Sequence, residues 1–97
     1  MRIHHVDILV ACYTTHPDSK SAFETWYAET KEATWKTTMD IKARYARASF
    51  LHGNRVVFNI SGNNYRLIAV INYNLGIVEI RFADTHAVYD KVNAEKI

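Results

Sequence analysis

From Phe50 onward the apolar residues of this chain recur at every second position, a period that suits extended strands and not helices. Three runs carry the pattern. Val56, Phe58 and Ile60 share one side of the run from Arg55 to Ile60, and Leu67, Ala69 and Ile71 share one side of the run from Tyr65 to Tyr73. Val78, Ile80 and Phe82 do the same between Ile77 and Asp84. His52-Gly53-Asn54, Ser61-Gly62-Asn63-Asn64 and Asn74-Leu75-Gly76 separate the runs with turn chemistry. The pattern predicts an antiparallel meander whose three apolar sets lie on one covered face. Ile60 then faces Tyr65 across a four-residue loop. The second hairpin requires a two-residue Leu75-Gly76 turn, or Tyr73 paired with Val78, because a three-residue loop would expose Val78, Ile80 and Phe82 together.

The cover comes from upstream. Met1 to Ile3 reads as a short strand, and Val6, Leu9, Val10 and Tyr13 fall at helical spacing. Pro17 suits the first position of a second helix, and Asp18 its first turn. That helix extends to about Thr34 with Ala22, Phe23, Trp26, Tyr27, Thr30 and Ala33 on its apolar face, while Lys20, Glu24, Glu29, Lys31 and Glu32 mostly face water. Trp26 and Trp35 could stack on nucleobases, although aromatic residues at helical spacing belong to cores far more often. Thr37 followed by Asp40 matches a capping box and predicts a short helix from Thr38 to Arg44. The fold class is α+β, with helices on one face of a small, mainly antiparallel sheet.

Ninety-seven residues suit one domain spanning 1–97, with one core. The single cysteine, Cys12, cannot form an intramolecular disulfide. No apolar run reaches the ~18 residues of a membrane span, and His4, His5 and Asp7 interrupt the first apolar stretch, against a signal peptide. A cytoplasmic protein without membrane association is expected. The histidines do not predict a metal site: His4 and His5 are adjacent, His16 and His52 stand alone, and Cys12 has no partner at ligand spacing. No cofactor is implied. The net charge of +2 is small, but Lys36, Lys42, Arg44, Arg47, Arg55 and Arg66 are opposed only by Asp40 within their stretch. Such a basic patch attracts phosphate backbones through counterion release.

The same strand register gathers Arg55, Asn59, Arg66, Asn72, Glu79 and Arg81 on the uncovered face, interrupted by Val57, Ile68 and Val70. Just beyond the last strand come Asp84, Thr85, His86, Tyr89, Asp90 and Lys91. An imidazole titrates near neutrality, phenols and ammonium groups are weak acids, and a guanidinium can hold a phosphate through two parallel hydrogen bonds. That set suits phosphodiester chemistry without a metal. Arg66 and Arg81 could instead pair structurally with Glu79 and Asp84. A non-catalytic RNA-binding module that stacks bases on Tyr65, Tyr73 and Tyr89 is the competing class.

FNISGNNYRL, IRF and THAVYDK, with HPDSK, TWKT and IKARYARASF upstream, resemble the HigB family of type II toxins, which belongs to the RelE-like mRNA interferases. The likeness spans nearly the whole chain. It implies a RelE-like fold with the RNA site on the sheet face opposite the helices. It also implies a metal-independent endoribonuclease that cuts mRNA, usually on the translating ribosome, silenced by a HigA-type antitoxin with a helix-turn-helix region. By the same resemblance Arg66, Arg81, His86 and Tyr89 are the catalytic positions, while Lys42, Arg44, Arg47, Arg55 and Lys91 are expected as substrate contacts from the placement of their charge. Ala83-Asp84 departs from the family pattern, where a glycine is expected before the Thr-His pair; Asp84 could hold His86 or lower the local positive potential. Replacing Lys42, Arg44 and Arg47 together by alanine is expected to weaken the salt dependence of RNA binding and leave the cut positions unchanged, as salt titrations and cleavage mapping would show.

Overall fold

The computed structural model describes residues 1–97. Five strands form one sheet in the order β1-β5-β4-β3-β2, where β1 is Arg2–His4, β2 Ser49–Leu51, β3 Arg55–Ile60, β4 Tyr65–Asn72 and β5 Ile77–Thr85. All neighbours run antiparallel except β1, which lies parallel to β5. Helix α1 (Asp7–Thr15), a 3-10 turn at Pro17–Ser19 and helix α2 (Lys20–Glu32) precede α3 (Thr38–Arg44), and α4 (His86–Tyr89) follows the last strand. The expected capping box is present: Asp40 Oδ2 accepts from the amide of Thr37 at 3.1 Å and starts α3 at Thr38. At the end of α2 the amino group of Met1 donates to the carbonyls of Thr30, Lys31 and Ala33, satisfying acceptors that a helix terminus leaves unpaired.

Val56, Phe58, Ile60, Leu67, Ala69, Ile71, Val78 and Ile80 join Leu9, Phe23, Trp26 and Ile41 in one buried cluster on the helix side. Trp26 and Trp35 are part of it, which removes them as stacking platforms. Phe58 is its hub, with the rings of Trp26, Trp35 and Tyr45 at centroid distances of 5.4, 6.0 and 5.2 Å. In α1 the inward residues are Leu9 and Cys12, three apart, while Val10 is exposed. Burial, reinforced by the nearby carboxylate of Asp84, pushes the Cys12 thiol up to about 11, so it stays protonated at neutral pH.

The first hairpin has the expected register, with Ile60 opposite Tyr65. The second departs from expectation. Ile71, not Tyr73, pairs with Val78, and Tyr73–Gly76 form a four-residue connection closed by Asn72 Oδ1 accepting from the Leu75 amide at 2.9 Å. The shift is two residues, so facing is preserved and Val78 and Ile80 remain in the core. A β-bulge then intervenes: Ala69 pairs with Ile80 but Ile68 pairs with Phe82, leaving Arg81 as an extra residue in β5. The bulge reverses the facing of everything after it. Ala83 enters the helix-side core, and Phe82, expected there, instead meets the ring of Tyr89 at 6.3 Å.

The opposite face is also less open than the alternation predicts. Val57 and Ile68 are 2% and 0% exposed although neither belongs to the helix-side cluster. The chain beyond β5 returns over this face: α4 packs on β4 and β5, Val92, Ala94 and Ile97 are half-buried, and Arg55 donates twice to the Ile97 carbonyl oxygen, at 3.2 and 3.0 Å. Because Phe58 holds three aromatic rings from three different segments, Phe58→Ala should destabilise the fold by about 3–5 kcal/mol. Urea denaturation of the variant measures this loss.

Candidate functional site

The site is built on the turn between β3 and β4. Ser61 and Gly62 have φ of 54° and 66°, a left-handed pair that aims the carbonyl of Asn63 back toward β4. Arg66, two residues into β4, uses that turn as its holder. Its Nη1 donates to the carbonyls of Asn63 at 3.2 Å and Tyr65 at 3.1 Å, and its Nη2 to Asn63 Oδ1 at 2.6 Å. Only 8% of Arg66 is exposed, and its guanidinium lies 5.8 Å from the ring centroid of Tyr89. A guanidinium has five N–H donors; three are engaged, so Nε–H and one Nη2–H stay free.

The same turn fixes the start of α4. Asn64 accepts from the His86 amide at 2.9 Å, and Thr85 Oγ1 caps the helix by accepting from the Val88 amide at 3.2 Å. Arg66, His86 and Tyr89 are thereby gathered around one four-residue turn. Arg81 lies three residues before Asp84, the cross-strand partner of Arg66, which is about 10 Å of strand. Its Nε sits 2.7 Å from Glu79 Oε1, with both side chains more than a third exposed. Pairing with Glu79 thus holds for Arg81 and not for Arg66.

Asp84 does not hold His86. Its Oδ1 accepts from the neighbouring Thr85 amide at 2.7 Å and lies 3.8 Å from His16 Nε2, so the carboxylate faces α1. His16, expected to stand alone, is therefore tied to β5, and its ring lies 5.7 Å from that of Tyr65. The carboxylate beside His86 is Asp90, whose Oδ2 is 3.1 Å from His86 Nδ1. Tyr65 is buried and donates to Asp18 Oδ1 at 2.8 Å, so it presents no free face for a base.

The expected substrate residues divide into two groups. Arg47 is exposed and lines a groove of about 230 Å³ with Tyr45, Ala46, Ala48, Asn59 and Gly62, which reaches the Arg66 turn. Lys91 is exposed just after α4. Lys42 sits 5.9 Å from the ring of Phe50. Arg44 is an ion-paired partner of Glu29 on α2 and lies 4.8 Å from the Tyr45 ring, so the acid that this helix lacks locally comes from its neighbour. Arg55 pairs with Val70, far along β3 from the Asn59–Arg66 rung, and is engaged by Ile97. The sequence marks Asn63 only as a turn residue, and it places Asp90 in the polar stretch after the last strand without giving it a role. That role was legible in its position as the i+4 neighbour of His86 on a helix.

A helical layer on one face of a mainly antiparallel sheet is the α+β architecture of the RelE-like toxins. The family model of the HigB toxins, RelE-like toxic components of toxin–antitoxin systems, matches residues 19–92, and the chain belongs to that family. No curated protein matches it. Membership makes it the toxin of such a pair, with an antitoxin as its partner. No helix is long and apolar enough to cross a membrane.

Glu29 joins the helical layer to the segment that lines the Arg47 groove. The Tyr45 hydroxyl, then Arg44, hold its carboxyl below the usual carboxylate range, while burial and the same carboxylate push the Tyr45 phenol upward. A depressed folded-state pKa contributes stability that is complete above the unfolded value and is lost as pH falls through the folded one. Glu29→Gln should lower stability at neutral pH and flatten its decline below the ordinary glutamate value of 4.5. Urea midpoints for both proteins between neutral and acid pH would show the two curves converging on acidification.

Proposed function

We propose that this toxin is a metal-independent endoribonuclease that cuts mRNA on the translating ribosome in the cytoplasm, with residues 1–97 acting as one domain and a HigA-type helix-turn-helix antitoxin silencing it. One observation carries the proposal: the Ser61–Asn64 turn holds both the guanidinium of Arg66 and the amide that starts the His86–Tyr89 helix. A cation, an imidazole and a phenol thus share one rigid support.

Cleavage of RNA through its own 2′-hydroxyl needs a base at that hydroxyl, an acid at the leaving 5′-oxygen and cations around the phosphorane. An imidazole, with an ordinary pKa of about 6.5, suits one of the proton transfers. His86 takes that role. A phenol, ordinarily near 10, is poorly suited as a free base, so Tyr89 orients the nucleophile or stacks on a base beside Arg66. Arg66 has two unengaged donors for the phosphate. Arg81 reaches it by exchanging Glu79 for the substrate; an exposed ion pair contributes only about 0–1 kcal/mol, and a phosphate accepts two parallel bonds.

Arg47, in the groove leading to the turn, and Lys91 and Lys42 hold the RNA backbone. Arg44 and Arg55, already engaged within the chain, contribute long-range attraction. A purely RNA-binding module is less well supported, because Tyr65 is buried and Tyr73 lies beyond the far end of β4 from Arg66, which leaves the half-buried Tyr89 as the one tyrosine of the proposed stacking set beside the cluster. His86→Gln should keep fold and antitoxin binding, retain most RNA affinity and slow cleavage by ~100-fold or more. Single-turnover cleavage at saturating toxin, compared with binding of an uncleavable 2′-deoxy substrate, measures the two separately. A small loss of rate assigns the proton transfer elsewhere, and equal losses in binding and cleavage indicate positioning.

A further inference from the structure

We infer that Asp90 is a positioning residue for His86, one that fixes the imidazole tautomer with its proton on Nδ1 and leaves Nε2 as the nitrogen offered to substrate. This rests on the nuclease proposal for its purpose, though not for its geometry. Asp90 Oδ2 lies 3.1 Å from His86 Nδ1, and Asp84, the other nearby acid, is turned toward His16. An ionised carboxylate accepts and cannot donate, so a ring nitrogen at that distance is stabilised when it carries the proton. In the neutral ring the lone pair then resides on Nε2. When Nε2 takes a proton, the carboxylate stands against the resulting imidazolium.

Helix capping does not account for Asp90. It follows Tyr89 at the C-terminal end of α4, where the helix dipole disfavours an acid. Its side chain is 58% exposed, so no core packing demands it, and His86 is its one ion-pair partner. The backbone already joins the two: the Asp90 amide donates to the His86 carbonyl at 3.0 Å, which keeps the carboxylate and the ring on the same side of a single helical turn. The Asn64 bond to the His86 amide and the Thr85 cap hold that turn in place. Exposure makes the pair weak as a source of stability. Orientation of a reacting group requires much less.

The test is imidazole ¹⁵N NMR of the full chain at pH ~8.5, about two units above the ordinary pKa of a free imidazole. His86→Gln assigns the signal. The wild type should show the Nδ1–H tautomer at His86, and Asp90→Ala should shift it toward the Nε2–H form that a free histidine side chain prefers. Asp90→Ala should also slow single-turnover RNA cleavage by ~10–100-fold with unchanged affinity for a 2′-deoxy substrate, and Asp90→Glu should recover part of the rate. An Nε2–H tautomer in the wild type, or a tautomer that Asp90→Ala leaves unchanged, overturns the inference even if the rate falls. A wild-type chain that cuts no RNA overturns the nuclease proposal instead, and the NMR result still decides whether Asp90 sets the tautomer.

Discussion

β4 has both of its faces covered, and the placement of the site depends on that constraint. Leu67, Ala69 and Ile71 are fully buried against the helices, and Ile68 is equally buried on the opposite face. A strand covered on both sides cannot slide by one residue, since that would exchange two apolar sets of different shape, nor by two without breaking the six-rung ladder to β3. Arg66 inherits its position from this immobility. It stands on the β4 face that Ile68 shares, close to the turn that supplies its hydrogen-bond acceptors, so the cation is held by packing and by that turn.

The bulge at Arg81 reconciles two demands on β5. Near its start the strand must direct Val78 and Ile80 toward the helices, and near its end it must place Ala83 there while Phe82 reaches Tyr89. Strict alternation cannot satisfy both, because Ile80 and Ala83 are an odd number of residues apart. One extra residue changes the parity, and that residue is Arg81. Without it Phe82 would enter the core. Tyr89 would then lack the neighbouring ring that helps hold α4 over the sheet, and the guanidinium of Arg66 would face a less ordered partner.

Much of this was legible in the sequence, for identifiable reasons. Three period-two runs define three strands, Thr37 and Asp40 mark the start of α3, and Ile60 opposite Tyr65 follows from the length of the Ser61–Asn64 turn. Arg66, His86 and Tyr89 were recognisable as chemically apt residues, and their gathering at one turn is what the folded chain adds. The departures share a cause, which is that local pattern does not report pairing across the fold. Nothing within β5 announces that Arg81 is unpaired. Tyr73 and Val78 look like natural partners until the Asn72 side chain closes a longer connection. Arg44 looked unbalanced because Glu29, its partner, belongs to a helix fifteen residues earlier.

Asn63 shows how a turn can hold a buried cation of the proposed site without itself contributing a charged group. A buried guanidinium without acceptors would be costly, since a charge taken from water must be compensated by hydrogen bonds. The Asn63 carbonyl, the Asn63 side chain and the Tyr65 carbonyl supply that compensation while carrying no negative charge. Arg66 consequently has no carboxylate partner offsetting its charge, in contrast to Arg81 with Glu79 and Arg44 with Glu29. A cation neutralised by a carboxylate must exchange that partner to serve an incoming phosphate, whereas one held by neutral dipoles can attract developing negative charge with no such exchange. In the proposed nuclease that difference would make Arg66 the preorganised cation and Arg81 the one recruited by exchange of its carboxylate partner.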